Sequence, residues 1–312
     1  MIQQIGAHVQ ALRPHQWVKN AFVLAPLVFS GLLTHPAAIT AALWAALAFS
    51  VSASAIYLLN DTMDYARDQA HPKKRLRPIA SGRVRRPTAL LLSALCAAGA
   101  LALAATLNAA TAWALSCYVL MNVLYSLGLK HLFLIDVFFI AIGFILRVSV
   151  GAFAIGVRLS PWLLLCTLFI ALFLGLCKRR HERASLGEEA AAHRSNLAHY
   201  TLPLLDQLIL VTAAATIMCY ALYTIDPWVC ARLETNGLLL TIPLVLLGVF
   251  RYIALVYQSG EGGSPTSVVL RDRGTQVIVA LYLLLSVGLI QGKVRLELTP
   301  APLPAAGALE GR

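Results

Sequence analysis

The sequence has 312 residues, of which 59% are hydrophobic and only 12% are charged, and its mean hydropathy is +0.75. Soluble domains carry about 25% charged residues, so this composition excludes an ordinary soluble enzyme and predicts a polytopic membrane protein. The net charge of +11 does not indicate a nucleic-acid partner, because the cations flank apolar segments and form no soluble basic module.

Nine apolar segments are long enough, or nearly long enough, to cross a bilayer as helices. In chain order they lie at about 18–34, 38–60, 87–107, 110–128, 132–156, 161–177, 203–224, 237–257 and 275–292. We therefore predict an all-α membrane protein with about nine transmembrane helices, in a single domain that covers residues 1–298. Residues 299–312 are rich in Pro, Ala and Gly, which predicts a disordered tail.

The Lys and Arg residues are distributed unequally between the two sides that these segments define. With the N-terminus inside, 18 of the 25 fall on inner segments, five on outer segments, and two, Arg147 and Arg251, within spans. Cytoplasmic loops of membrane proteins carry an excess of Lys and Arg. The sequence therefore predicts a bacterial-type plasma-membrane protein with a cytoplasmic N-terminus, an outer C-terminus and an active site that faces the cytoplasm.

Three carboxylates follow directly after the second apolar segment. On a helix, their spacing of i, i+3 and i+7 places Asp61, Asp64 and Asp68 on one face. Because like charges repel, such a face is costly unless a cation lies among them. Carboxylate and amide oxygens suit a hard ion that keeps positions open for phosphate, so we predict that Asn60, Asp61, Asp64 and Asp68 bind Mg²⁺, with Mn²⁺ as the alternative ion. A solvated acidic helix end beside the membrane is the alternative structure.

Five cations lie on the inner side of the predicted spans or inside one of them: Lys19, Arg77, Lys130, Arg147 and Lys178. We predict that these side chains bind substrate phosphates, and Arg is the better clamp because its guanidinium can form two parallel hydrogen bonds. For Lys178, an ordinary basic cluster at the cytoplasmic end of a helix is an equally good account.

Arg147 lies about three turns inside the fifth predicted segment, where a charged side chain is costly and usually faces a polar cavity or a partner. Asp136 precedes it by eleven residues on nearly the same helix face, but about 16 Å of axial rise argues against a direct ion pair. A structural ion pair with Asp206, near the start of the seventh segment, is the alternative to substrate binding.

These motifs resemble those of the UbiA superfamily of intramembrane prenyltransferases. The resemblance rests on Asn60-Asp61-x-x-Asp64-x-x-x-Asp68, Arg77-Pro78-Ile-Ala-Ser-Gly82 and Tyr125-Ser-x-x-Leu-Lys130, and it covers nearly the whole chain. Further motifs resemble the decaprenyl-phosphate phosphoribosyltransferases within that superfamily. They are Arg13-Pro-x-Gln16-Trp17-Val-Lys19-Asn20, His71-Pro72-x-Lys74-Arg75, Gly143-Phe-x-Leu-Arg147, Lys178-Arg179, and Gly262-Gly263-Ser-Pro265 with Asp272-Arg273.

The resemblance implies a bundle of helices around a central cavity. It also implies that a polyprenyl phosphate, of the decaprenyl type, attacks C1 of 5-phosphoribosyl diphosphate and releases diphosphate. The implied catalytic carboxylates are Asp61, Asp64, Asp68 and Asp136, and the implied phosphate contacts include Asn60, Tyr125 and Arg179 as well as the five cations above. Asp136 is the single carboxylate that remains of a second aspartate-rich motif. Both a monomer and an oligomer are compatible with these expectations.

Two other functions remain as alternatives. An aromatic prenyltransferase would use the same chemistry of carboxylates, Mg²⁺ and diphosphate, with the lipid diphosphate as donor. A lipid or solute transporter is the alternative from another class. The surplus of cations favours phosphoribosyl transfer over the first alternative. Charges that cluster on one side, and halves without an obvious internal repeat, argue against the second.

Overall fold

The structure is a computed structural model, and it describes residues 2–72, 74–129, 132–186, 197, 199–258, 268 and 271–296. These residues form α-helices, short 3₁₀ segments and connecting turns, and none of them lies in a β-strand. The helices are α1 (Ile2–Leu12), α2 (Ala25–Val28), α3 (Pro36–Met63), α4 (Tyr65–Ala70), α5 (Arg86–Leu107), α6 (Ala109–Leu127), α7 (Ile135–Ala154), α8 (Pro161–Leu186), α9 (Leu202–Ile225), α10 (Pro227–Leu233), α11 (Ile242–Gln258) and α12 (Arg273–Gln291). The predicted all-α class is confirmed. The predicted tail at 299–312 lies outside the described residues.

Eight helices in the described part of the chain are long and apolar enough to cross a membrane: α3, α5, α6, α7, α8, α9, α11 with the 3₁₀ turn before it, and α12. They correspond in order to the second to ninth predicted segments, so the polytopic class is confirmed. The first predicted segment, at 18–34, differs in form. A 3₁₀ helix at Pro14–Leu24 runs directly into the four-residue α2. At about 2.0 and 1.5 Å per residue, this stretch is about 28 Å long, so the count of nine is approximate.

The 3₁₀ helix at Pro14–Leu24 packs against both α3 and α7. Gly151 on α7 permits the close approach, because a Cβ atom built there would lie 1.8 Å from the carbonyl oxygen of Val23. Asn20 is buried in the same segment and donates from Nδ2 to the Oγ of Ser50 on α3 at 3.0 Å. A buried amide is costly unless it is hydrogen-bonded. These contacts therefore fix the segment between two spanning helices.

Two apolar clusters form most of the core, and α7 contributes to both. One cluster joins the 3₁₀ segment to α3, α5, α6 and the second half of α7, with Phe49 and Leu115 fully buried. The other joins the first half of α7 to α8, α9 and α11, with Phe173 and Leu205 at its centre. The outer faces of the bundle expose large apolar side chains such as Trp113, as expected of surfaces that contact lipid.

Contacts between helix termini define two ends of the bundle. Asn60, in the last turn of α3, contacts Ser126 in the last turn of α6. Asp136, in the first turn of α7, contacts Arg179 near the end of α8. We call the end that holds these four residues the polar end. The connection between α7 and α8, at 155–160, lies at the opposite end, which we call the distal end.

Candidate active site

The acidic stretch lies at the polar end, where α3 ends. The helix stops at Asp64, whose φ is −86° and ψ 10°, and the chain continues as α4 from Tyr65. The prediction of one continuous helical face is therefore wrong at Asp64, whose half-exposed carboxylate lies 3.9 Å from the guanidinium of Arg67. Asp61 and Asp68 are nevertheless buried and contact the same cation.

That cation is Arg77, which bridges the two buried carboxylates. Its Nη1 atom lies 3.1 Å from Oδ1 of Asp61 and 2.6 Å from Oδ2 of Asp68. Arg77 lies between the short 3₁₀ helix at Lys74–Leu76 and a turn closed by the N–H of Val84, which donates to the carbonyl of Pro78 at 2.9 Å. The structure thus brings one predicted phosphate ligand into contact with two predicted metal ligands.

Arg13 is a second cation on Asp61, and the sequence did not single it out. Its Nη2 lies 2.6 Å from both carboxylate oxygens of Asp61, and its guanidinium carbon lies 5.2 Å from the ring centre of Tyr57. Arg13 adopts a left-handed backbone, with φ 54°, between α1 and the 3₁₀ helix. Its signals in the sequence were its place at the start of the motif Arg13-Pro-x-Gln16-Trp17-Val-Lys19-Asn20 and beside Pro14, which starts that helix. The partner of Arg13 could be identified only from the tertiary structure.

A divalent cation fits the chemistry of this site. Asp61 and Asp68 both contact one nitrogen atom of Arg77, so the two carboxylates converge on a position that already holds positive charge. Oxygen donors of this type suit Mg²⁺. Among the described residues, no three His, Cys, Asp or Glu side chains are grouped to hold a metal ion. The fourth predicted ligand, Asn60, accepts a short hydrogen bond from the hydroxyl of Ser126. The four predicted ligands thus carry the oxygen atoms that Mg²⁺ prefers, although their side chains do not surround one point.

Asp136 lies elsewhere at the polar end and is fully buried, with an exposure of 0%. Nε of Arg179, itself only 1% exposed, donates to its Oδ2 at 2.8 Å, and the hydroxyl of Tyr200 donates to its Oδ1 at 2.7 Å. Arg179 also forms an ion pair with Glu182. The structure therefore pairs a predicted catalytic acid with a predicted phosphate ligand. This pairing could not be predicted from the sequence, because the two residues lie on different helices.

Arg147 is buried in the middle of α7, with an exposure of 7%. Its Nε donates to Oδ1 of Asn20 at 3.0 Å, and its Nη1 donates to the carbonyl of Gly143 at 2.9 Å. Three aromatic rings surround the guanidinium carbon, at 4.8 Å (Phe144), 4.9 Å (Phe49) and 5.4 Å (Tyr118) from their centres. None of these hydrogen-bond partners and rings carries a negative charge, so among the described residues no acid pairs with this buried positive charge.

Asp206 is not the partner of Arg147 that the alternative interpretation required. Nε of Arg180 donates to Oδ1 of Asp206 at 2.6 Å, and the hydroxyl of Tyr257 donates to the same oxygen at 2.7 Å. Arg180 also lies 3.9 Å above the ring of Tyr257. Asp206 thus belongs to a separate contact between α8, α9 and α11.

Lys19 lies in the 3₁₀ helix, outside the eight spanning helices, and is half-buried. Burial, together with the positive charges of Lys178, Arg147 and Arg13, lowers the pKa of its ammonium to about 8. Both effects disfavour the charged form. Four cations from three separate segments therefore lie close enough to repel one another, and such a group is suited to bind an anion.

The positions of the other predicted phosphate ligands neither support nor contradict a role in phosphate binding. Lys178 is half-exposed and lies 3.8 Å from Glu182. Tyr125 packs its ring 5.7 Å from that of Phe139. Lys130 and the glycine pair at 262–263 lie outside the described residues.

Comparisons with known proteins agree with this geometry. The model of the UbiA prenyltransferase family matches residues 23–269. Decaprenyl-phosphate phosphoribosyltransferase of Mycolicibacterium smegmatis is 33% identical over 294 residues, which cover 89% of this chain and 91% of that protein. The protein of the same name from Corynebacterium glutamicum is 35% identical, over 88% of this chain and 83% of that one.

The fold also has a solved counterpart. A UbiA homologue from Archaeoglobus fulgidus, bound to GPP and Mg²⁺, superposes with a TM-score of 0.70 over 91% of this chain and 99% of that one. Its sequence identity is 18%, so this likeness concerns the fold alone. The family match, the relatives that align over most of their length and the shared bundle lead to one conclusion: the chain is a multi-pass membrane protein that belongs to the UbiA prenyltransferase family.

Proposed function

We propose that the protein transfers a 5-phosphoribosyl group from phosphoribosyl diphosphate to a polyprenyl phosphate of the decaprenyl type, and releases diphosphate. The observation that carries this proposal is the pair of cations Lys19 and Arg147. Lys19 lies half-buried in the 3₁₀ segment and Arg147 lies buried in the middle of α7, and neither has a carboxylate partner among the described residues. The names of the relatives from M. smegmatis and C. glutamicum support the same reaction.

The charges divide the site into two parts. The negative charges of Asp61 and Asp68 are already neutralised by ion pairs with Arg13 and Arg77. A metal–diphosphate complex is suited to this part, because its metal can bind the carboxylates while its phosphates bind the two arginines. Lys19 and Arg147 then remain for a second anion. A reaction between two phosphorylated substrates requires both parts, whereas an aromatic acceptor would require only the first.

Asn60, Asp61, Asp64 and Asp68 are the residues that we propose to hold Mg²⁺, with Mn²⁺ as a substitute. The ion, when bound, neutralises the negative charge that grows on the departing diphosphate. Arg77 and Arg13 assist by donating hydrogen bonds to the oxygens of the departing diphosphate, since the geometry of a guanidinium suits that of a phosphate.

The acceptor phosphate is already anionic, so the reaction needs no strong general base. One of its oxygens forms a bond to C1 of the ribose, and the bond from C1 to the diphosphate oxygen breaks, with the electron pair leaving on diphosphate. Lys19, Arg147 and Lys178 hold the acceptor phosphate against the repulsion of the donor phosphates. We propose that Tyr125 and Lys130 complete the phosphate contacts. Asp136 and Arg179 neutralise each other, so their proposed role is to position the end of α8.

We propose that this site faces the cytoplasm of a bacterial-type plasma membrane, with the N-terminus inside and the C-terminus outside. The excess of Lys and Arg on the segments at the polar end supports this orientation. The donor is a water-soluble sugar phosphate, which reaches the site from the aqueous side. The acceptor reaches it from the lipid.

The decisive experiment uses the purified chain in detergent with radiolabelled phosphoribosyl diphosphate, decaprenyl phosphate and Mg²⁺. We expect a labelled lipid product and stoichiometric release of diphosphate. A parallel reaction contains geranyl diphosphate and an aromatic acceptor such as 4-hydroxybenzoate. Prenylation in that reaction, together with no transfer from the sugar donor, would assign the chain to aromatic prenyl transfer instead. Isothermal titration with phosphoribosyl diphosphate and Mg²⁺ checks donor binding independently of turnover.

A further inference from the structure

A small pocket lies at the distal end of the bundle, away from the candidate active site. It is lined by the connection at 155–160, by the first turn of α8 and by α10. Because Asp136 and Arg179 hold the opposite ends of α7 and α8 at the polar end, this connection cannot belong to the active site. The pocket measures about 320 Å³, its open mouth included.

Two arginines lie at the pocket without a carboxylate partner among the described residues. Nη1 of Arg232 donates to the carbonyl of Arg158 at 3.2 Å, which holds the two residues together. The guanidinium carbon of Arg232 lies 5.4 Å from the ring centre of Trp228. The nearby acids are engaged elsewhere, since Asp226 caps α10 and Glu234 pairs with Lys293. The pocket therefore carries an uncompensated positive charge.

Ser160 supplies the second, independent observation. The residue lines the pocket and is only 3% exposed, and its buried hydroxyl has no hydrogen-bond partner among the described residues. A buried hydroxyl is destabilising when it has no hydrogen-bond partner. Ser160 immediately precedes Pro161, the first residue of the 26-residue helix α8, and the amides of Trp162 and Leu163 have no acceptor within that helix. The unpaired hydroxyl and the positive end of the helix thus coincide, and both attract an anion.

The rest of the lining is apolar and aromatic. It includes Pro26, Phe29, Leu163, Tyr223 and Trp228. Trp228 is partly exposed, as aromatic side chains at a membrane surface commonly are. A free anion would gain little from these side chains, whereas a lipid can place its phosphate on the arginines and its glycerol and acyl carbons on the rings.

We propose that this pocket binds the headgroup phosphate of an anionic phospholipid in the leaflet at the distal end. Arg158 and Arg232 bind the phosphate, the hydroxyl of Ser160 donates to one of its oxygens, and Phe29 and Trp228 contact the glycerol and the upper acyl chain. This site is separate from the proposed active site and does not depend on the reaction catalysed there.

Native mass spectrometry of the full-length chain in detergent, titrated with phosphatidylglycerol or phosphatidylcholine, tests the proposal. We expect phosphatidylglycerol to bind more tightly than phosphatidylcholine. Replacement of both Arg158→Gln and Arg232→Gln should weaken phosphatidylglycerol binding on the order of tenfold. The matched control is Arg295→Gln, which removes an exposed charge from the same end and should change binding by less than about twofold.

Ser160→Ala separates binding from folding. Because the hydroxyl has no partner among the described residues, this variant should keep the melting temperature of the lipid-free chain while it weakens phosphatidylglycerol binding. The proposal is overturned if the double arginine variant and Ser160→Ala both bind phosphatidylglycerol as tightly as the parent. It is also overturned if inorganic phosphate displaces phosphatidylglycerol at equal concentration, because the ligand would then be a free anion rather than a lipid.

Discussion

Asp136 and Arg179 form an ion pair at 2.8 Å in which neither side chain is exposed by more than 2%. The pair joins the first turn of α7 to the last part of α8, 43 residues apart in the sequence. It lies at the polar end but is separate from Asp61 and Asp68. Breaking a buried pair of this kind is destabilising, although Arg179 keeps Glu182 as a second partner when Asp136 is removed.

We predict that Asp136→Asn lowers the free energy of unfolding by up to about 3–5 kcal/mol, the loss that follows when the remaining charge has no second partner. Thermal denaturation in detergent, followed by tryptophan fluorescence, measures the effect. Lys178→Gln is the matched control, because it removes a neighbouring charge that is half-exposed, and it should cost less than about 1 kcal/mol. A melting temperature for Asp136→Asn equal to that of the control would contradict a structural role for the pair.

A double replacement distinguishes structure from catalysis at the same position. Asp136→Leu combined with Arg179→Met removes both charges, and such exchanges are often neutral for stability. If the pair only positions α8, the double variant should recover much of the stability and of the turnover lost in Asp136→Asn. A stable double variant without turnover would instead support the catalytic assignment of Asp136 from the sequence.

The carboxylates at the end of α3 should be required for metal binding. We predict that Asp61→Asn and Asp64→Asn each abolish turnover while the chain remains folded, and that excess EDTA does the same to the parent. Glu234→Gln is the control, because it removes an exposed acid at the distal end. Titration with Mn²⁺, followed by electron paramagnetic resonance, gives a readout without turnover. Unchanged activity in EDTA and in both variants would remove the metal from the mechanism.

Arg147 should be needed for binding of a substrate phosphate more than for folding. An unpaired guanidinium inside the membrane costs about 2.5–3.5 kcal/mol on the mildest scale. Among the described residues it is offset by Asn20, a carbonyl and three rings, and by no acid. We predict that Arg147→Lys lowers turnover at least about tenfold, because an ammonium cannot form two parallel hydrogen bonds.

Melting temperature and turnover should be measured together for Arg147→Lys and Arg147→Gln. Asn20→Ala is a useful comparison, because it removes a partner of the guanidinium but leaves the charge. The substrate role fails if Arg147→Gln loses much of its thermal stability and still turns over at a near-normal rate.

Lys19 should make donor or acceptor binding sensitive to pH. Its pKa is lowered to about 8 in the free protein, and a bound phosphate favours the charged ammonium. Below pH 8 the ammonium is already charged and binding is at full strength. Above pH 8 a proton must be taken up on binding, so affinity should fall by up to about tenfold per pH unit. Isothermal titration between pH 7 and 9 measures this slope.

Lys19→Gln is the control for that titration, because it removes the titrating group while keeping a polar side chain. The variant should bind more weakly at pH 7 but with a flat pH profile. The unfolding equilibrium offers a second check. The unfolded chain retains its proton to a higher pH than the folded chain, so the parent should gain stability between about pH 8 and 10.5, and Lys19→Gln should not. An identical slope in both proteins would remove Lys19 as its source.

The sequence by itself determined the class of the protein and the course of eight spanning helices. Hydropathy is a local property, and a bilayer requires about 20 consecutive apolar residues, so these segments could be read directly from the chain. The boundaries agree because local signals mark them. Pro161 starts a helix at the predicted residue and Pro36 starts one two residues before the predicted position, and Asn108 separates α5 from α6 and caps the second of them. The location of Asp61 and Asp68 at one end of the bundle could be predicted because the second apolar segment ends directly before them.

Only the tertiary structure decided which polar side chains contact one another. Arg13 and Asp61 are 48 residues apart, and Arg147 and Asn20 are 127 apart. Hydropathy and spacing carry no information about such partners, because they depend on how the helices pack. The same holds for the first segment. Its 3₁₀ form fits against α7 because Gly151 has no side chain, and that contact is visible in neither segment alone.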